Sequence, residues 1–241
     1  MTSLFISDLH LSTERPDITQ AFYEFLQTRA ANADALYILG DLFDSWFGDD
    51  NPAPLVRQVI DALHTLTQGS TKLYFLHGNR DFVIGKRFAR ETGCTLLDEH
   101  TVITLYGQKI LLLHGDTLCT DDLQYQKVRR CIRHPLFLTF ANCLPLRLRQ
   151  KIAAQARIKS QKTNRQKTQQ IMDVSPETVK SLMSTYGVST MIHGHTHRPM
   201  CHKVLFNNTE GQRIVLGDWD KKAWVLTASP NDALALSSFI I

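Results

Sequence analysis

Ala35-Leu36-Tyr37-Ile38-Leu39-Gly40-Asp41-Leu42-Phe43-Asp44 reads as a short buried strand that stops at a glycine and delivers two carboxylates to its carboxyl end. The sequence on either side repeats that design. Upstream, Ile18 to Asn32 places Ala21, Phe22, Phe25 and Leu26 on one helical face, and Leu4-Phe5-Ile6-Ser7 forms a strand ending in Asp8-Leu9-His10. Downstream, Leu55 to Leu66 is a helix with Val56, Val59, Ile60 and Leu63 on one side. The strand Lys72-Leu73-Tyr74-Phe75-Leu76 then runs into His77-Gly78-Asn79-Arg80-Asp81, and a short helix from Ile84 to Thr92 closes at Gly93. Strand, helix, strand, helix, strand predicts a parallel sheet with helical crossovers.

The rest of the chain adds a second layer. Val102 to Leu105 and Lys109 to Leu113 predict a hairpin around Tyr106-Gly107-Gln108, whose second strand ends in His114-Gly115-Asp116. A helical segment broken by Pro135, Pro145 and Pro176 follows. The chain then returns through a strand ending at Ile192 into His193-Gly194-His195-Thr196-His197-Arg198-Pro199, with strand-like runs at Arg213 to Leu216, Ala223 to Thr227 and Leu234 to Ile240. The expected fold is α/β (α+β): two layers of strands with helices outside. It forms a single domain over 1–241, with residues 123–172 as a basic helical lid inserted in it.

Charge sets that insert apart. Between Leu123 and Met172 there is no Asp or Glu but 12 of the 27 basic residues, leaving the remainder with 15 basic against 23 acidic residues, net −8. Such segregation predicts an anionic partner for the insert. Its run Leu136, Phe137, Leu138, Phe140, Leu144, Leu146, Leu148 is a dense apolar stretch bordered by arginines, either a set of buried apolar helices or a lid with an apolar inner face. Met1 leads directly into a strand with no basic leader and no cleavage site, so no signal peptide is expected. No apolar run reaches the length of a membrane span. Five cysteines, odd in number and without CxxC spacing, argue against disulfides and a zinc ribbon and suit a reducing cytoplasm.

Five strand ends thus carry Asp8 and His10; Asp41 and Asp44; Asn79; His114 and Asp116; His195 and His197. Taken alone, His195 and His197 are equally well an ordinary surface pair. Taken together, carboxylate, imidazole and amide donors suit Mn²⁺, Fe²⁺ or Zn²⁺, and there are too many for one four-coordinate ion. Paired ions serve phosphoester hydrolysis. Asp81, Asp44 and Asp116 are expected to orient ligands, His77 and His193 to be satisfied inner histidines, and Cys119, Trp46, Trp219 and Trp224 to pack.

In this order, Asp8-Leu-His10, Gly40-Asp41-Leu-Phe-Asp44, Gly78-Asn79-Arg-Asp81, His114-Gly115-Asp116 and Gly194-His195-Thr-His197 resemble the motifs of the calcineurin-like metallophosphoesterases. The resemblance implies a two-sheet β-sandwich flanked by helices. It also implies one metal on Asp8, His10, Asp41 and His197, a second on Asn79, His114 and His195, and Asp41 bridging them. Much of that family has His after the motif Asn, able to protonate an alkoxide. Here the position is Arg80, which cannot give up a proton near neutral pH but forks onto phosphate oxygens. That favours a leaving group already stable as an anion, such as a phosphate leaving a pyrophosphate.

The runs Ala35 to Phe43, Gly78 to Phe82, His114 to Asp122, Ile171 to Val174 and Ile192 to Pro199 resemble a narrower branch of that family, which hydrolyses the pyrophosphate of a UDP-linked diacylated glucosamine in lipid A synthesis; the match covers nearly the whole chain and thins after Gly217. The resemblance implies water attack on the α-phosphorus, releasing UMP and 2,3-diacylglucosamine 1-phosphate, and a lid whose apolar stretch receives the acyl chains. Asp41, Asn79, Arg80 and His195 would be catalytic. Asn79, Arg80, Asp122, Ser160, Asn164, Lys167 and His195 would contact substrate, and two Mn²⁺ would be bound, with Fe²⁺ or Zn²⁺ as substitutes. A monomer in the cytoplasm of a Gram-negative cell, in peripheral contact with the inner membrane and with no nucleic-acid partner, is expected. The alternatives are another metallophosphoesterase, acting on phosphodiesters, cyclic nucleotides or phosphoproteins, and a non-catalytic membrane- or RNA-binding scaffold.

Overall fold

The computed structural model describes residues 2–164, 173–230 and 234–241, without the side chains of 142 and 157–164. In chain order the elements are β1 Ser3–Ile6, α1 Pro16–Thr28, β2 Ala35–Ile38, α2 Pro54–Gln68, β3 Lys72–Phe75, α3 Lys86–Thr92, β4 Thr95–Leu96, β5 Thr101–Leu105 and β6 Gln108–Leu112. The insert contributes α4 Leu123–Ile132, α5 Pro135–Cys143 and α6 Leu146–Asn164. Then follow α7 Pro176–Tyr186, β7 Thr190–His193, β8 Met200–Phe206, β9 Thr209–Val215, β10 Lys222–Ala228 and β11 Ala235–Ile240.

Side chains on a strand alternate between its faces, and here the alternation builds a sandwich. Leu4 and Ile6 of β1, with Leu36 and Ile38 of β2, join Phe22, Phe25, Val59 and Leu63 of α1 and α2 in one core. Phe5 and Tyr37 point the other way and meet Ile110, Leu112, Ile192 and Ile214 of the second sheet. Leu111 and Met191, on the outer face of that sheet, pack with Val179 and Met183 of α7. The layers therefore run helix, sheet, sheet, helix. Between the sheets, Phe5, Tyr37 and Tyr74 stack across three strands, with centroids 4.7 and 4.6 Å apart. Each such pair adds about 0.5–1.5 kcal/mol beyond simple burial.

The first sheet has the order β11-β10-β1-β2-β3-β4, and the second β5-β6-β7-β9-β8. β1, β2, β3 and β4 are parallel neighbours, as the βαβ reading predicts, and β6, β7 and β9 are parallel in the second sheet. Three details depart from expectation. A short fourth parallel strand, β4, continues the first sheet. The hairpin turn is tighter than expected: Tyr106 and Gly107 alone form it, at φ 50° and 81°, and Gln108 already belongs to β6. The unforeseen strand β8 pairs antiparallel with β9 through Asn207 and Asn208, at φ 47° and 56°. Two adjacent asparagines between alternating runs were the legible sign of that turn.

The insert is helical and its prolines divide it, with Pro135 beginning α5. Its apolar residues are not a second core. Leu136 is 75% exposed, Phe140 64%, and Phe137, Leu148 and Ile152 are exposed as well. No helix among the described residues is long and apolar enough to cross a membrane.

Candidate active site

The carboxyl ends of β1, β2, β3, β6 and β7 converge at one end of the sandwich, where ligands usually bind in α/β sheets. The loops there bend sharply. Asp8, His10, Asp41, His195 and His197 all have positive φ, between 50° and 70°, a conformation that costs a residue bearing a Cβ about 1–3 kcal/mol. Among the described residues, the other non-glycine positions with positive φ are the three hairpin-turn residues already named. The loops also approach one another closely. A Cβ at Gly78 would lie 2.0 Å from Asp41 Oδ1, and one at Gly194 would lie 2.1 Å from Asp8 Oδ2. Glycine at those two positions is what lets neighbouring motifs share one small space.

The donors form two groups. Atoms of Asp8, His10 and His197 lie within 4.8 Å of one another, as do atoms of Asp8, Asp41 and His114. Asp41 divides its oxygens between them: Oδ2 is 4.0 Å from His10 Nδ1 and Oδ1 is 3.7 Å from His114 Nε2. Asn79 Oδ1 sits 2.9 Å from His114 Nε2 and 2.8 Å from His195 Nδ1. Asp8, not only Asp41, thus reaches both groups.

Hydrogen bonds behind these side chains fix which atoms face inward. His114 Nδ1 bonds the Leu39 carbonyl at 2.9 Å, so Nε2 is its inward atom. Asp8 Oδ2 accepts from Ser7 Oγ at 2.6 Å and from the His195 amide at 2.9 Å, leaving Oδ1 for the site. His197 Nδ1 pairs with Asp218 Oδ2 at 3.2 Å and directs Nε2 toward Asp8 and His10. Asp81 holds backbone: it accepts from the amides of Asp41, Leu42 and Gly78. His193 lies behind the site, where Arg213 donates to its Nε2 at 3.0 Å and its Nδ1–H bonds the Gly194 carbonyl at 2.8 Å.

This arrangement is poorly satisfied by protein alone. Asp8 Oδ1 and His10 Nδ1 are buried and lack a hydrogen-bond partner, although buried polar atoms are rarely left so. Asp8 is fully buried and Asp41 is 2% exposed. Burial pushes the Asp41 carboxyl up to about 7, against the pull of His114. Burial opposes charge on His197 as well, yet Asp218 and Asp8 outweigh it and raise the ring to about 10. Burial and the neighbouring His114 lower His195 to about 4, and burial likewise lowers His10 to about 4. A proton on His197 thus supplies positive charge, and one on Asp41 removes negative charge, in a place crowded with acceptors. Converging carboxylate, imidazole and amide lone pairs, two of them orphaned, suit divalent cations.

A cavity of about 450 Å³ opens above this floor. His10, Asp41, Asn79, Arg80, His195 and His197 line one side, and Tyr125, Val128, Arg129 and Ile132 of α4, with Arg133 directly after it, line the other. The Arg80 amide donates to Asp41 Oδ1 at 2.8 Å. Asp122 also borders the cavity, and its Oδ1 caps α4 by accepting from the Tyr125 amide at 3.0 Å. Ser160 and Asn164 lie on α6 at positions whose side chains are outside the description, and Lys167 lies outside the described residues. Cys119 is buried, and burial raises its thiol to about 12, which suits packing. Trp46 and Trp219 are core residues.

Asp116 differs from expectation. It does not contact a candidate ligand; it anchors the insert, accepting from Arg129 Nε at 2.6 Å, Tyr125 Oη at 3.0 Å and Arg133 Nη2 at 3.3 Å. Arg129 and Arg133 also pair with Glu99, and Arg149 with Asp50. Part of the anionic partner predicted for the basic insert is therefore the acidic body itself. Asp218 and Arg213 escaped the sequence reading. Asp218 directly follows Gly217 at the end of β9, so the strand-end rule that found the other carboxylates also reaches it.

Residues 1–199 match the calcineurin-like phosphoesterase family. The chain is 49% identical to a UDP-2,3-diacylglucosamine hydrolase of Pseudomonas fluorescens, over 98% of its own length and 95% of the relative's. It is 51% identical to proteins of the same name from Pseudomonas aeruginosa, covering 96% of each chain, and Serratia proteamaculans, covering 99% of each. Among solved structures it is similar in fold to an archaeal phosphodiesterase, at 13% identity and a TM-score of 0.50 over 100% of both chains. The alternation that builds two sheets, the donors at five strand ends and these matches lead to one conclusion: the chain belongs to the calcineurin-like phosphoesterase family.

Proposed function

We propose that the chain hydrolyses the pyrophosphate of UDP-2,3-diacylglucosamine at the α-phosphorus, giving UMP and 2,3-diacylglucosamine 1-phosphate. The observation that carries this reading is the cavity itself, floored by phosphate chemistry and walled by a helix of an insert rich in exposed apolar side chains. Near-full-length identity of about one half to relatives named for that substrate supports the same choice.

Asp8, His10, Asp41 and His197 would hold one divalent ion, and Asp41, Asn79, His114 and His195 a second; such oxygen and imidazole donors suit Mn²⁺, Fe²⁺ or Zn²⁺, and the family resemblance favours Mn²⁺. When bound, such ions neutralise phosphate charge and acidify water. The chain's own residues do the rest. Arg80, at the cavity wall beside Asn79, forks onto non-bridging oxygens. His195, lowered to about 4 by burial and by His114, stays neutral and binds rather than donating a proton. No strong acid is needed, because a sugar 1-phosphate departs as a stable anion. Asp122, Ser160, Asn164 and Lys167 are assigned to the nucleotide, sugar or phosphate, and residues 123–172 form the lid of an otherwise single domain. The exposed basic and apolar residues of the insert suit peripheral contact of a monomer with the cytoplasmic face of the inner membrane.

Hydrolysis in ¹⁸O-labelled water with Mn²⁺ tests the proposal. The label is expected in UMP, with no turnover after chelation. Label confined to the sugar phosphate would overturn attack at the α-phosphorus, and no UMP at all would overturn the substrate assignment.

A further inference from the structure

The turn Gly78-Asn79-Arg80 carries the amide placed between His114 and His195, and the insert holds it. Gly78 and Arg80 each offer a carbonyl that a residue outside the turn holds. The Gly78 carbonyl accepts from Arg133 Nη2 of the insert at 2.7 Å. The Arg80 carbonyl accepts from the Trp46 amide at 3.2 Å. Trp46 belongs to the loop between β2 and α2, and Arg149 of α6 grips that loop through the Phe47 carbonyl at 2.5 Å and through Asp50. The inner edge of the turn is fixed by the body, where Asp81 Oδ1 accepts from the Gly78 amide and Asp41 Oδ1 from the Arg80 amide, both at 2.8 Å. Body and insert thus hold the same three residues from opposite sides.

Arg133 is well placed for this work. Its side chain is 16% exposed, Glu99 Oε1 accepts from Nη1 at 2.9 Å, and the guanidinium lies 5.7 Å from the centre of the Phe82 ring. Arg129, one turn earlier, shares Glu99 and Asp116 with it. A planar guanidinium held at several points delivers one N–H to one carbonyl with little freedom. Supporting hydrogen bonds of this kind tune a metal site almost as strongly as the ligands do.

We infer that Arg133 is a positioning residue: the insert sets the affinity of the second metal through the Arg133 to Gly78 bond, with Arg149 as a weaker hold on the same turn. This rests on the two-metal reading above. The coupling is reciprocal, so occupation of the Asn79 cluster steadies α4 against the body. A lid that belongs to substrate recognition therefore also senses whether the metal site is complete.

Calorimetric titration with Mn²⁺ separates the possibilities. The unaltered chain is expected to take up two ions. Arg133→Met is expected to weaken the second by about 10- to 100-fold and leave the first within about twofold. Arg133→Lys, which keeps a donor for the Gly78 carbonyl, recovers part of the loss. Arg130→Met, at an exposed residue whose Nε contacts only its own helix at 3.4 Å, changes neither. Two unchanged affinities in Arg133→Met, or equal losses at both sites, would overturn the inference alone. One ion in the unaltered chain would overturn the two-metal reading as well. Amide exchange on the unaltered chain gives an independent check should the variant not fold: protection of α4 is expected to rise as the second equivalent binds, and unchanged protection contradicts the coupling.

Discussion

At the strand ends, Asp8 is fully buried, Asp41 is 2% exposed, and five donor residues are held in left-handed backbone. Across the cavity, the insert leaves Leu136 and Phe140 mostly in water and, among the described residues, pairs its charges with the body through Arg129, Arg133 and Arg149. The first region is preorganised at a cost in stability, which the sandwich cores offset. The second keeps apolar surface uncovered that no fold requirement explains. A fixed donor set can act on many phosphoesters, whereas an uncovered apolar surface selects for what it can cover. On the proposed function, the strand ends carry the chemistry and the insert carries the selection.

The largest test of that division is Asp41→Ala, which removes a carboxylate whose two oxygens face His10 and His114, one in each donor group. Activity is expected to fall more than about 1,000-fold with Mn²⁺ in excess, since a single electrostatic contact to a transition state is already worth 10²–10³. Near-normal turnover would dismantle the chemistry assigned to the floor. Asp218→Asn should cost less. It weakens the bond that directs His197 inward, and equilibrium dialysis should show about 10- to 100-fold weaker binding of one ion.

On the exposed apolar face of the insert, Phe140→Asp sharpens the comparison. Covering a phenylalanine is worth about 1.5–3 kcal/mol, so kcat/KM for the diacylated substrate should fall about tenfold or more. Metal content and melting temperature should stay as they were, because exposed substitutions rarely change stability by more than about 0.5 kcal/mol. A marked fall in melting temperature would mean the residue packs and does not select.

The smallest expected effect concerns protons. With metal removed, His197 keeps its proton up to about 10, against about 6.5 when unfolded, so its stabilising contribution is complete below that lower value and is lost as pH rises toward 10. Asp41, raised to about 7, also favours the folded chain less once pH climbs from about 4 to 7. Chelated protein should therefore melt a few degrees lower at pH 9 than at pH 7, and metal affinity should strengthen over the same range as both groups release protons. Scanning calorimetry with and without chelator checks both, and a chelated protein that is more stable at pH 9 would contradict the assignment.

β1, β2, β3, β6, β7 and β9 were legible because each is a continuous apolar run, stopped by glycine in all but β1, and the donors because each follows such a run; β4, two residues long, gave no such signal. β8 was missed because its alternation, Met200 to Phe206, is interrupted by Cys201, His202 and Lys203 and signalled only by Asn207-Asn208. Asp116, two residues after His114, is expected to orient ligands, but Arg129 and Arg133, four residues apart at the end of α4, claim it instead. Sequence spacing finds what a strand end presents. It does not reveal which of two charged partners, far apart in the chain, will meet.

The division of labour is tested most directly by measuring UMP release with Mn²⁺ from UDP-2,3-diacylglucosamine beside the same nucleotide sugar without acyl chains. Efficient release from the acylated compound and little from the bare one is the predicted result. Equal kcat/KM for the two would contradict it and leave the insert without a role in selection.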